Sequence, residues 1–200
     1  MSGALLVELE SAPLERCEAD LVVAGFFRDE RPLRDAAAAI DWRFCGLLSE
    51  RLSEGVIAGD PGEAVLLPTY GRMRAPRVLL LGLGSRAEYR PPRLVAASRA
   101  ALKRSIDIGA RSLALAPLGV APDDFARNAE LLLSGALASV NEAGASIRAR
   151  IVLPPGELGA ASRAIEELIA SGAPSGLVFR SASAPAEPRR ALPPGAGPGL

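Results

Sequence analysis

Short, nearly continuous apolar runs alternate along this chain with stretches long enough for three to five helical turns, and that rhythm restricts the fold more than any other feature. Ala4–Leu9 (ALLVEL), Asp20–Phe27 (DLVVAGFF), Ala64–Tyr70 (AVLLPTY), Arg77–Leu83 (RVLLLGL), Ser112–Leu118 (SLALAPL) and Ala145–Leu153 (ASIRARIVL) read as strands. The second is apolar throughout, as a strand buried on both faces is, and Ser112–Leu118 has the same character and is expected at the centre of the sheet. Ala145–Leu153 alternates in its first half and is expected at an edge. Strands separated by helices imply an α/β layered domain on a largely parallel or mixed sheet.

The helices announce themselves through prolines, glycines and apolar stripes. Arg31-Pro32 opens a stretch in which Leu33, Ile40, Phe44, Leu47 and Leu48 share one face and Gly55 closes it, so one helix is expected there. Pro91-Pro92 opens a second that ends at Gly109, and Pro122-Asp123-Asp124 a third that runs to about Val140. Leu158, Ala161, Ile165, Leu168 and Ile169 mark a fourth, from Leu158 to Ala170. Gly59-Asp60-Pro61-Gly62 is a turn, and Gly71–Pro76 is short enough for a hairpin link. From Ala173 the sequence is Pro, Ala, Gly and Ser with little apolar bulk, so residues 173–200 are expected to be a disordered tail behind one domain of residues 1–172.

Composition narrows the chemistry. The 200 residues balance 23 basic against 23 acidic side chains, which counts against a general nucleic-acid or anionic-membrane binder. No histidine is present, which removes Ser-His and Cys-His nucleophile pairs. Cys17 and Cys45 supply neither a disulfide framework nor a zinc set; Cys17 falls in a polar stretch, while Cys45, among Phe44, Leu47 and Leu48, reads as a small core residue. No leader pattern or membrane-length apolar run is seen, so a soluble, cytoplasmic protein is expected.

Gly82-Leu83-Gly84 follows a strand and precedes a helix, with Ala87 in the third slot of a dinucleotide fingerprint. The helix starts too late, after Pro91-Pro92, to aim its first amides at a phosphate, which favours a structural turn. Asp123-Asp124 reads as a helix cap, Glu166-Glu167 as a solvated face, and Asn141–Gly144 as a helix C-terminus. Arg72, Arg74 and Arg77 around the hairpin, and Arg189-Arg190 in the tail, read as solvated charge.

Taken in order, ADLVVAGFF at 19–27, Leu52-Ser53-Glu54-Gly55, Gly59-Asp60-Pro61-Gly62-Glu63, Ala64–Pro68 and RVLLLGLG at 77–84 resemble the N-terminal domain of the leucine (cytosol) aminopeptidases. Asp60 and Ser85 stand where that family often has lysine. The resemblance covers about 170 residues and implies a three-layer, macro-domain-like α/β fold: a mixed, twisted sheet of about six strands flanked by helices. That family's two-metal chemistry lies in a C-terminal domain whose signature is missing from these residues. The expectation is therefore a non-catalytic, stand-alone module that binds a protein, either itself or an aminopeptidase catalytic chain, with no catalytic residue, metal or cofactor. In some bacterial members this domain contributes to DNA binding, and the balanced charge here counts against it. Two alternatives follow from the same resemblance. One is a binder or hydrolase of ADP-ribose or a related nucleotide, with Gly25, Gly82, Gly84 and Ser85 at its ligand site. The other is one half of a split aminopeptidase completed by a partner chain.

Overall fold

The computed structural model describes residues 3–172 and 175–180. Seven strands form one sheet: β1 (Ala4–Glu10), β2 (Leu21–Phe26), β3 (Ala64–Pro68), β4 (Arg77–Gly82), β5 (Ser112–Leu115), β6 (Ser146–Val152) and β7 (Leu177–Arg180). Their order is β3-β4-β2-β5-β6-β1-β7. The β3–β4 hairpin pairs antiparallel, and every other neighbouring pair of described strands is parallel. The expected mixed sheet is present, with β5 at its centre.

Helices cover both faces. α3 (Pro91–Asp107), α4 (Phe125–Ala143) and α5 (Leu158–Ala170) share a core with Leu5, Val7, Leu113 and Leu115, in which Phe125 and Leu132 are fully buried. On the other face, α1 (Asp35–Arg43) and α2 (Leu47–Ser53) pack Ile40 and Leu48 against Val22, Ala24 and Leu80. β2 serves both layers: Leu21 and Val23 enter the first core, Val22 and Ala24 the second. Its uninterrupted apolar run is what two covered faces demand.

Four expectations need correction. The single helix read from Arg31 is two helices, and the first starts at Asp35. Cys45 and Gly46 take left-handed backbone (φ 57° and 83°), which ends α1; the carboxylate of Asp41 then accepts from the Leu48 amide at 2.8 Å and the Ser49 hydroxyl at 2.5 Å, anchoring the start of α2. That break turns Cys45 outward, so it is exposed and not a core residue. β6 lies inside the sheet, between β5 and β1, not at an edge. Its alternation arises because Ile147, Ala149 and Ile151 enter the core while Arg148 and Arg150 face the other side, where they lie near Glu8. Residues 177–180, assigned to the tail by composition, add β7 as a parallel strand beside β1. The rest of the expected tail, Arg189 and Arg190 included, lies outside the described residues.

Cys17 is the buried thiol. Its Sγ donates to the carbonyl of Pro13 at 3.6 Å, and burial, reinforced by the Glu10 carboxylate, pushes it up to about 12. In the native protein at pH 8, a disulfide reagent such as Ellman's should titrate one thiol per chain, that of Cys45, and two after denaturation. Two native equivalents contradict this burial.

Asp20 ties the starts of β2 and β5. Its carboxylate accepts from the amides of Arg111 at 2.8 Å and Ser112 at 3.0 Å. The Arg111 amide, before the others, holds it below the usual carboxylate range. A depressed folded value contributes stability above the unfolded value of roughly 3.9, and that contribution is lost as pH falls through the folded one. Asp20→Asn should therefore lower the urea midpoint at pH 7, and the gap from wild type should close in acid. An equal gap at pH 7 and pH 3 contradicts the assignment.

Candidate functional site

The sheet order reverses beside β2: the chain leaves it for β3 and β4 on one side, while β5 and β6 lie on the other. Crevices open beyond the carboxyl ends of parallel strands at such a point. Here the crevice is a cleft of about 190 Å³, with Gly25 and Phe26 of β2 in one wall, the 116–120 loop in another and the entry to α1 in a third.

The loop is held in an uncommon conformation. Leu118 is buried with φ 46°, and Gly119 follows at φ 83°. The Tyr89 hydroxyl donates to the Leu118 carbonyl at 2.6 Å, and burial raises the Tyr89 phenol, keeping it a donor. Phe27 packs edge-on against Tyr89 at 5.1 Å and beneath the Arg86 guanidinium at 4.8 Å. A side chain at Gly119 would meet the Phe27 ring at 2.6 Å.

The third wall carries the charge. α1 begins at Asp35, itself at φ 51°, behind an extended Arg34, and no side chain caps its first amides. Arg34, Asp35, Ala36 and Ala37 all line the cleft. Glu30, also in the wall, pairs with Arg86 at 3.3 Å. Arg34 and Asp35 are exposed, and neither forms an ion pair among the described residues.

Of the four glycine and serine positions singled out in the sequence, the structure brings Gly25 alone to the cleft. Gly25 is small because the Leu83 side chain packs where its Cβ would project, at 2.6 Å. The amides of the Gly82-Leu83-Gly84 segment are spent within the chain: Gly82 on the Glu63 carbonyl at 3.0 Å, Leu83 on Phe26 at 2.9 Å, Gly84 on Gly59 at 2.8 Å. The neighbouring turn holds an anion of its own, since the Glu63 carboxylate accepts from the amides of Gly59 at 2.5 Å and Asp60 at 3.2 Å. The Ser85 hydroxyl donates to Asp29 at 2.5 Å, and the Arg86 amide joins it at 2.9 Å. These segments build a strand-to-helix turn. Glu166-Glu167 is solvated and Gly144, at φ 58°, ends α4 as expected. Asp124 occupies the N-cap of α4, but its carboxylate pairs with Arg127 at 2.9 Å and caps no amide.

A second surface lies at the opposite end of the sheet. α1 runs back from the cleft, so its last turn meets the tip of the β3–β4 hairpin: Arg43 pairs with Glu15 at 2.9 Å, the Arg74 amide donates to the Glu15 carbonyl at 3.1 Å, and the Arg72 guanidinium sits 5.9 Å from the Phe44 ring. Arg74 also pairs with Glu18 at 2.7 Å, and Arg77 donates to the Ile108 carbonyl at 3.1 Å, so the three hairpin arginines are engaged within the chain. Trp42 is 84% exposed there and Tyr70 80%. Neither stands out in the sequence, because Trp42 sits off the α1 stripe and Tyr70 ends an apolar run. Nor do Arg34, Asp35 and Leu118; the one signal for them is Pro117-Leu118-Gly119, a glycine loop directly after a central strand.

The family profile described as "Cytosol aminopeptidase family, N-terminal domain" matches residues 22–142. The chain belongs to the cytosol aminopeptidase family. A probable cytosol aminopeptidase of Methylobacillus flagellatus is 36% identical over 120 residues, covering 59% of this chain and 24% of the relative. One from Nitrosomonas eutropha is 33% identical over 107 residues, covering 54% and 21%. The chain thus spans about a quarter of the length of these cytosol aminopeptidases, and the region it matches is the N-terminal one. Among solved structures, the Oceanobacillus iheyensis macrodomain with MES bound superposes with a TM-score of 0.62 at 10% identity, over 82% of this chain and 92% of that one. A Trypanosoma brucei macrodomain in complex with ADP-ribose gives 0.62 at 18% identity, over 80% and 68%. This cytosol aminopeptidase N-terminal domain therefore has the macro-domain-like fold that its sequence implied. Among the described residues no three His, Cys, Asp or Glu side chains are grouped so that they could hold a metal ion. No helix among the described residues is long and apolar enough to cross a membrane.

Proposed function

We infer that this domain is a non-catalytic protein-binding module that docks another chain of the cytosol aminopeptidase family, a second copy of itself included, through the surface around Trp42 and Tyr70. The observation that carries this reading is where the large aromatics lie. The chain has one tryptophan and two tyrosines, and the tryptophan and one tyrosine are among its most exposed large side chains. Exposed indole and phenol rings are costly in water and are the side chains that dominate interface energies. On the same α1 end and hairpin, Arg43–Glu15 and Arg74–Glu18 are already paired, so these charges are satisfied within the chain.

The non-catalytic part rests on the groups present: no histidine in the sequence, and a Cys17 thiol held protonated by burial. Two observations weigh against the nucleotide alternative. The glycine-loop amides are committed within the chain, and Gly82, Gly84 and Ser85 do not line the cleft. The split-enzyme alternative is the same docking surface with a catalytic partner. Turnover of leucine p-nitroanilide with manganese, appearing only when both chains are mixed, marks that case.

The test is mass in solution. Wild type should exceed the 20.7 kDa of one chain as concentration rises, or on mixing with a full-length cytosol aminopeptidase. Losing an aromatic anchor costs about 2 kcal/mol or more, roughly thirtyfold in affinity. A Trp42→Glu, Tyr70→Glu double variant should therefore remain a folded monomer. Equal assembly by wild type and variant overturns the reading.

A further inference from the structure

We propose that the cleft at the carboxyl ends of β2 and β5 binds a free α-amino acid with an apolar side chain. Size comes first. At about 190 Å³ the cleft is close to the roughly 150 Å³ of an engineered apolar cavity in another protein that accepts benzene. It therefore suits one branched or aromatic side chain and little more. Leu33, Phe26, Ala116, Leu118 and Val152 offer that side chain an apolar lining.

The charges at the mouth decide what the side chain must carry. Glu30 and Arg86 satisfy each other at 3.3 Å. Arg34 and Asp35 remain, one cation and one carboxylate on adjacent residues, both lining the cleft and neither in an ion pair among the described residues. A zwitterion answers both. Its carboxylate meets the Arg34 guanidinium and the first amides of α1, which no side chain caps, and its ammonium meets Asp35. A ligand with one charge engages only one of the two, and a diphosphate brings anionic charge against Asp35. This site is independent of the docking surface at the other end of the sheet, so either reading can fail alone.

The experiment is calorimetric titration of the full chain with L-leucine, with leucinamide (no carboxylate), with 4-methylpentanoate (no ammonium) and with ADP-ribose. L-leucine should bind, and each one-charge analogue should bind at least about tenfold more weakly, the scale of one lost charge-assisted hydrogen bond. Arg34→Gln and Asp35→Asn should each weaken L-leucine binding by a similar factor. Both positions are exposed, and asparagine tolerates the left-handed backbone at residue 35, so unchanged melting temperatures should accompany the loss. Absence of heat with millimolar L-leucine, equal binding of L-leucine and leucinamide, or binding of ADP-ribose in place of L-leucine each overturns the proposal.

Discussion

A Gly82→Ala variant should be less stable than wild type by about 3 kcal/mol, the upper end of what overpacking costs. Gly82 ends β4 beneath the 59–63 turn. A methyl group there points at the carbonyl oxygen of Asp60, inside contact distance, and at the carbonyl carbon of Gly59, 2.7 Å away. Both are backbone atoms, so no rotamer change relieves the clash. Nor can the turn retreat easily. The Glu63 carboxylate holds the amides of Gly59 and Asp60, the Gly82 amide holds the Glu63 carbonyl, and the Gly84 amide holds the Gly59 carbonyl. Moving the turn breaks several of these bonds together. Gly25→Ala is the comparison, because its methyl group meets the buried Leu83 side chain at 2.6 Å and no backbone atom of a turn, so it loads a side chain where Gly82→Ala loads main chain. Urea unfolding followed by circular dichroism measures both. A Gly82→Ala change within about 0.5 kcal/mol of wild type, the range of ordinary surface substitutions, contradicts the docked turn.

The second large effect runs against helix propensity. Gly135 sits in the middle of α4, where alanine is favoured by roughly 1 kcal/mol. Yet α3 and α4 cross at that glycine. A Cβ there would press on the Val95 carbonyl oxygen and the Ser98 hydroxyl, with the Val95 carbonyl carbon at 3.1 Å. Ser98 is fully buried, and the Ser139 hydroxyl bridges the same two helices by donating to the Arg99 carbonyl at 2.8 Å. Forcing the helices apart loosens the packing that covers one face of the sheet. Gly135→Ala should therefore lose about 2 kcal/mol net, the overpacking cost outweighing the propensity gain. A thermal melt that shows stabilisation means the crossing is looser than these distances.

How much was legible beforehand follows from which forces act locally. β2 and β4 announce themselves because a strand covered on both faces must be apolar throughout, and the β3–β4 hairpin follows from the length of its link. β7 was not legible. Leu177–Arg180 are four residues in a glycine-, proline- and serine-rich setting, and they become a strand because β1 presents an open edge to pair with. The break between α1 and α2 was hidden because the stripe through Ile40, Phe44 and Leu48 continues across it; only the backbone at Cys45 and Gly46 reveals the turn. The cysteines exchanged roles for related reasons. Cys17 has polar neighbours in sequence but is buried beside Leu14 in the second core, while Cys45 has apolar neighbours but sits on the turn. The Gly82–Gly84 loop drew attention by composition, whereas the cleft is lined by Arg34, Asp35 and Leu118, which no spacing rule unites. They meet only once β2 and β5 lie side by side.

The sole tryptophan offers the most direct test of the docking surface, since Trp42 reports on it without any label. In dilute solution its emission should be that of a hydrated indole, readily quenched by iodide, as its 84% exposure requires. Raising the protein concentration, or adding a full-length cytosol aminopeptidase, should shift that emission to the blue and shield it from iodide as the mass rises. An association that proceeds while Trp42 keeps its hydrated emission and its full quenching, or no association with either partner, contradicts the account.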